Sequence, residues 1–305
     1  MALPDFSDLQ LFVLILSALL LFLYGLEQFS RELQQLGQER MARLLEQATR
    51  HRLGGLLLGA GVTAIVQSSS AVTALVVALV NAGTLGFAGS LAVLLGANVG
   101  TTATAWLVSF KLTGIGPFLI VLGGLLTLLP FAIRVAGRVI FYFGFIFFSL
   151  DLIGHSLAPL RQQPWLVDAL VQGSTPWIGV LMGAAITLLL QSSSVVSGLA
   201  VVLVQQGMLP PEAAVAIVVG ANAGTTVTAL IASIPMNAVA RRTAWMNTLF
   251  NLTGVILLLP WITPFAHWAL GVADSPAQAV AVAHLAFNLG VALLFLPLTG
   301  WLGRR

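Results

Sequence analysis

The sequence predicts an all-α polytopic membrane protein built from two inverted-topology repeats, each with a re-entrant helical hairpin and a broken transmembrane helix. Three observations predict it. First, 58% of the 305 residues are hydrophobic and only 8% are charged, against roughly 25% charged in a soluble domain. Those charges are too few to coat a water-facing surface of this size, and the mean hydropathy is +1.01. Second, polar motifs recur at one fixed offset. Gln67-Ser68-Ser69-Ser70 returns as Gln191-Ser192-Ser193-Ser194, and GANVGTT at Gly96–Thr102 returns as GANAGTT at Gly220–Thr226; both pairs lie 124 residues apart. With no gap, 26 of the 55 positions in 55–109 are identical to those in 179–233. Third, the apolar segments come in two lengths, long enough to span a bilayer and too short to do so.

The elements follow in order. Residues 9–27 form a spanning helix; Asp5 and Asp8 precede it and no basic leader or small-residue cleavage site accompanies it, so it reads as retained. Residues 28–50 carry Arg31, Glu32, Glu39, Arg40, Arg43, Glu46 and Arg50, the pattern of an amphipathic interfacial segment. Residues 53–66 and 69–82 are the two short arms of a hairpin with QSSS at its tip. Residues 87–110 are long enough to span but are interrupted by GANVGTT, as in helices broken at mid-membrane. Residues 114–130 form a linking, spanning helix. The second repeat follows with a helix at 133–150, a surface segment at 156–173, a hairpin at 175–206 and a broken helix at 212–233. Helices near 241–260 and 276–298 close the chain. The domain boundaries are thus 1–130 for repeat 1, 131–233 for repeat 2 and 234–305 for the C-terminal helices. Glu27 falls on Asp151 at the same offset of 124, each closing a long apolar run.

Charge fixes an expected orientation. With 31–52 placed in the cytoplasm, eleven of the thirteen basic residues fall inside and only Lys111 and Arg161 outside, a positive-inside distribution. The N-terminus is then external and the C-terminus cytoplasmic. Three crossings separate the hairpins, at 87–110, 114–130 and 133–150, so the hairpins enter from opposite faces.

The motifs carry two chemistries. Polar residues at the middle of apolar segments are expensive in lipid unless they meet each other, water or a ligand. Two QSSS tips at the midplane, each opening a helix, combine hydroxyl donors with free backbone N–H groups and a positive dipole end. That is an anion site without a fixed positive charge, with Ser68, Ser69, Ser70, Ser192, Ser193 and Ser194 as ligands. Gln67 and Gln191 either donate to the anion or brace the tips. In GANxGTT the glycines are expected to unwind the helix and free carbonyls. With Asn98, Thr101, Thr102, Asn222, Thr225 and Thr226 these form a neutral oxygen set suited to sodium. The bland alternatives are serines bonding back to the preceding turn and small residues at a helix contact. Glu27 and Asp151 are expected to anchor the fold. Asn247, Asn251, His284 and Asn288 either line a pathway or bond between helices, and Arg241 and Arg242 are expected as cytoplasmic anchors. No buried carboxylate sits midway along a helix, which favours sodium over proton coupling.

Other classes are excluded or set aside. The absence of cysteine excludes disulfides and thiolate-held metals. His51, His155, His267 and His284 show no metal-ligand spacing. No G-x-x-x-x-G-K-[ST] motif marks an ATP-driven pump, and no catalytic constellation marks an enzyme.

The doubled QSSS, each followed by GANxGTT, together with the FN pairs at 250–251 and 287–288, resembles the type II sodium-dependent phosphate cotransporters in their bacterial branch, over residues 9 to 298. The resemblance implies symport of inorganic phosphate with sodium, a QSSS substrate site, and movement of the hairpin-bearing part against a scaffold of helices 9–27 and 133–150. It implies no organic cofactor, no metal other than sodium and no nucleic-acid partner. The expected setting is the bilayer of a bacterial inner (plasma) membrane, where a homodimer is allowed. Two departures stand out. Some animal members carry an acid in an HDCFN-type motif after repeat 1, whereas here ATAWLVSFKLTG follows, and the serine runs end SSSA and SSSV where SSST is common. The alternatives are a phosphate exporter, an oxyanion channel and a phosphate-sensing membrane scaffold.

Overall fold

The computed structural model describes residues 8–48, 51–110, 114–130, 132–157, 159 and 175–302. It is 89% helical, with no strand among the described residues. Among the described residues six helices are long and apolar enough to cross a membrane: 10–33, 87–109, 133–157, 211–233, 238–272 and 276–302. Large apolar side chains also face outward, among them Leu189, Leu128 and Leu57 at 81%, 77% and 70% exposure, which water would not tolerate over so wide a surface.

The chain divides into two compact units that take residues from both repeats. The first comprises 1–36 and 111–168. It holds the start of α1 (Asp8–Ala48) with α6 (Ile115–Thr127) and α7 (Ala132–Leu157). Phe22 and Ala18 are fully buried in it. Helices α6 and α7 approach closely through small residues, as membrane helices do: a Cβ on Gly116 would stand 2.6 Å from the Phe148 nitrogen. Arg138 pairs with the nearly buried Glu32 at 2.9 Å. Both repeat-related acids serve local structure. Glu27 pairs with Arg31 one turn on at 2.6 Å, and Asp151 accepts the Gly114 N–H at 3.1 Å, at the start of α6.

The second unit comprises 37–110 and 169–305. In it the first repeat supplies α2 (Arg52–Val66), α3 (Ser69–Asn81), α4 (Phe87–Thr101) and α5 (Ala103–Ser109). The second repeat supplies α8 (Pro176–Leu190), α9 (Ser193–Gln205) and α10 (Pro211–Ser233). Then come α11 (Ala238–Leu258), α12 (Ile262–Val272) and α13 (Pro276–Phe295). Contacts repeat with the sequence: α2 lies against α4 as α8 lies against α10, and α3 touches α10 as α9 touches α5. Asn81, at the end of α3, accepts from the Asn237 N–H at 2.8 Å. Its repeat mate Gln205, at the end of α9, donates to the Val108 carbonyl at 2.8 Å.

The structure corrects four expectations. The GANxGTT helices are not unwound. Helix α10 runs unbroken through Gly220–Thr226, and in the first repeat α4 and α5 meet at Thr102, which keeps right-handed helical angles of φ −65°, ψ −19°. The glycines serve close approach instead. A Cβ on Gly96 would collide with the Leu56 carbonyl of α2, and one on Gly220 with the Val180 carbonyl of α8. Next, α6 is only 13 residues long. That is about 20 Å of helix against a hydrocarbon core of roughly 30 Å, so 114–130 is not among the six spanning helices. The charged segment is no separate element, because α1 continues through Glu27 to Ala48. Finally, the helix expected near 241–260 is followed, after a 3-10 turn at Leu259–Trp261 carrying Pro260, by the further helix α12. The surface segment expected at 156–173 lies largely outside the described residues.

Candidate functional site

Both QSSS motifs make the same turn. Gln67 ends α2 and Gln191 ends α8 in the left-handed region, at φ 58° and 55°, the two non-glycine residues with positive φ among those described. Both glutamines are engaged with the protein. Each donates its side-chain amide to the preceding turn, to Ala64 and Leu188. Each accepts a hydroxyl from the helix that carries GANxGTT: Thr104 Oγ1 to Gln67 Oε1 and Thr228 Oγ1 to Gln191 Oε1, both 2.6 Å. These contacts hold the tips in place and favour bracing over donation to an anion.

The first serine of each triplet is a cap. Ser68 accepts the Ala71 N–H at 3.2 Å and Ser192 the Val195 N–H at 3.4 Å, which satisfies one orphan donor of each helix start. Ser69, Ser70 and Ser193 then reach a small common cavity. Ser194 is buried and is not part of its lining.

The same cavity brings in most of the second motif. Asn98, Thr101, Asn222, Thr225 and Thr226 line it, with Thr73, Ala229 and Asn247. Among the described residues no lysine, arginine, histidine, aspartate or glutamate lines it. Thr102 is buried away from it, donating to the Val99 carbonyl at 2.7 Å. Asn251 accepts from Asn98 Nδ2 at 3.3 Å, an interhelical bond between α11 and α4. Asn288 donates to the His284 carbonyl of its own helix at 2.9 Å. Arg242 stands over the Phe87 ring at 4.6 Å and bonds the Leu302 carbonyl at 3.3 Å, an anchor and not a cavity residue. Thr73 was legible and missed. It sits four residues after Ser69 on α3, hence on the same helical face.

Hydrogen bonding sorts the lining into two kinds of group. Thr101 spends its hydroxyl proton on the Ala97 carbonyl and Thr225 on the Ala221 carbonyl, both at 3.0 Å, and Thr226 on the Ala223 carbonyl at 2.8 Å. Asn98 and Asn222 spend amide protons on Asn251 and on the Val218 carbonyl. What the three threonines then present is oxygen lone pairs, the chemistry of a hard cation site, and Asn98 and Asn222 add an amide oxygen each while keeping one further amide proton. The hydroxyls of Ser69, Ser70 and Ser193 have no partner among the described residues. They keep protons to donate, beside the first N–H groups of α3 and α9.

The family model described as Na+/Pi-cotransporter matches residues 21–155 and 166–298. The chain is 32% identical over 284 residues to "Uncharacterized protein YqeW" of Bacillus subtilis, covering 92% of each. It is 30% identical over 287 residues to "Putative inorganic phosphate export protein YjbB" of Escherichia coli K12, covering 93% of this chain and 53% of that protein. A 137-residue stretch is 31% identical to human "Sodium-dependent phosphate transport protein 2B", 41% of this chain and 20% of that one. No solved structure matches.

Proposed function

Because this chain belongs to the Na+/Pi-cotransporter family, a family of membrane transporters, we propose that it carries inorganic phosphate across the membrane by sodium-coupled alternating access, with the cavity as the site. The observation that carries the reading is the sorting of donors from acceptors. Ser69, Ser70 and Ser193, with the helix starts behind them, hold the oxyanion. The oxygens of Asn98, Thr101, Asn222, Thr225 and Thr226 hold sodium, whose charge offsets that of phosphate in a cavity lined by no charged group among the described residues. Ser68 and Ser192 shape the helix starts, and Gln67 and Gln191 brace them.

The two repeats are read as inverted, with the hairpins re-entrant from opposite faces of a bacterial inner membrane. The repeat-related contacts support a two-fold arrangement, and the distribution of basic residues supports the inversion. The inversion needs α6, with its flanking residues, to complete a crossing. The moving part is then the hairpin-bearing unit and the scaffold the unit of α1, α6 and α7.

Uptake of labelled phosphate into proteoliposomes under an inward sodium gradient, with potassium in place of sodium as control, tests this. Uptake requires sodium and falls at least tenfold in Ser69→Ala and in Ser193→Ala. Uptake indifferent to sodium would remove the coupling, and full activity in both variants would remove the site. The relative named for phosphate export favours a second reading, in which the physiological flux is outward. Phosphate efflux from loaded vesicles that exceeds uptake under matched opposite gradients would select it.

A further inference from the structure

The cavity is lined unequally by the two repeats, and the inequality has a pattern. Lining residues on one side are Ser70 and Thr73 of α3, Thr226 and Ala229 of α10, and Asn247 of α11. At the 124-residue offset the mates of the first four are Ser194 and Ser197 of α9, Thr102, and Ala105 of α5. None of these mates lines the cavity, and all are buried, at 4%, 0%, 3% and 0% exposure.

Asn247 has a mate as well, outside the repeat that the offset relates. Asn247-Thr-Leu-Phe-Asn251 on α11 answers His284-Leu-Ala-Phe-Asn288 on α13. In each, the last asparagine donates Nδ2 to the backbone carbonyl of the first residue at 2.9 Å. The surroundings exchange too: α11 lies against α10 and α3, and α13 lies against α4, α5 and α9, which are their mates. His284 therefore holds on one side the place that Asn247 holds on the other. It is fully buried, and neither ring nitrogen has a hydrogen-bond partner among the described residues; the same is true of the Ser197 hydroxyl. Burying such groups unpaired is unfavourable, and most native polar groups avoid it. Two of the closed mates thus carry polar atoms that no described residue satisfies, on two helices, α9 and α13, packed against each other.

We infer that Ser194, Ser197 and His284 are the closed half of the same pathway: they line it when it opens to the opposite membrane face, and His284 then meets the ligand as Asn247 does in the present conformation. The inference rests on the inverted-repeat transport reading above. The chemistry fits an oxyanion that carries both bare oxygens and a hydroxyl. A neutral imidazole offers one N–H donor and one bare nitrogen acceptor, and an amide likewise offers both.

The native chain has no cysteine, so single cysteines report without background. Thr73→Cys, Ser197→Cys and His284→Cys are made in the full chain. Each is exposed to a membrane-impermeant maleimide in right-side-out and inside-out vesicles, with and without sodium and phosphate. Thr73→Cys is labelled from one face, and Ser197→Cys and His284→Cys are labelled from the other. A condition that slows labelling at Thr73→Cys several-fold speeds it at Ser197→Cys. Labelling of Ser197→Cys from the same face as Thr73→Cys would overturn the inference. So would no labelling of it from either face in any condition, in protein whose purified form elutes as a single species like the parent. Opposite-face labelling that ignores phosphate sustains the inference while counting against phosphate as the substrate, so the two readings fail separately.

Discussion

At the residue scale, what distinguishes the two threonine-rich motifs from ordinary helix is where their protons go. A threonine whose hydroxyl bonds its own helix is usually unremarkable. Here Thr101 and Thr225 do so while facing a cavity, so only lone pairs remain for a ligand. Thr101→Val and Thr225→Val keep the shape and remove an oxygen; each raises the sodium concentration for half-maximal uptake at least tenfold, read from sodium titrations of phosphate uptake. The braces behave differently. Thr104→Val leaves the buried Gln67 Oε1 unsatisfied and costs about 1–3 kcal/mol, measured by thermal unfolding in detergent. Thr228→Val, whose partner Gln191 is exposed, costs less.

At the element scale, the glycines decide how near the helices come. Gly220→Ala drives a methyl group into the Val180 carbonyl and Gly96→Ala into that of Leu56. Backbone atoms cannot step aside as a side-chain tip can, so each variant loses several kcal/mol and shows it as reduced yield of monodisperse protein. Gly61 of α2 faces open space, and Gly61→Ala in a helix interior stabilises by up to about 1 kcal/mol. These contrasting outcomes check the packing role that replaces the expected unwinding. The two short helices either side of QSSS were legible almost to the residue, 53–66 and 69–82 against Arg52–Val66 and Ser69–Asn81. A polar quartet inside an apolar run leaves few places for the chain to turn. The state of GANxGTT was not legible, because glycine permits both an unwound helix and a tight contact, and only the neighbour across the gap selects between them.

At the scale of the whole molecule, the repeats share a single cavity in which neither is complete. Ser69 and Ser193 meet there from helices 124 residues apart in the chain. Orientation belongs to this scale too. With eleven of thirteen basic residues on one side of the proposed topology, a C-terminal fluorescent reporter is quenched only by reagents admitted to the cytoplasm. Quenching from outside intact cells would reverse the topology and, with it, the face assigned to each half of the pathway.

The sequence by itself determined the membrane setting, the duplication, the short helices either side of each QSSS and the residue types of both motifs. Composition and periodicity are local properties, and a repeated polar motif in lipid has few uses. The tertiary structure decided which members of each motif reach the cavity. It made Ser68 and Ser192 caps and the glutamines braces, turned Thr102 and Ser194 away, and drew in Thr73 and Asn247. The two repeats carry the same motifs, so the motifs do not say which copy lines the cavity. That difference arises only when similar segments pack in unequal surroundings, and it is what leaves Asn247 at the cavity and His284 buried with no hydrogen-bond partner among the described residues.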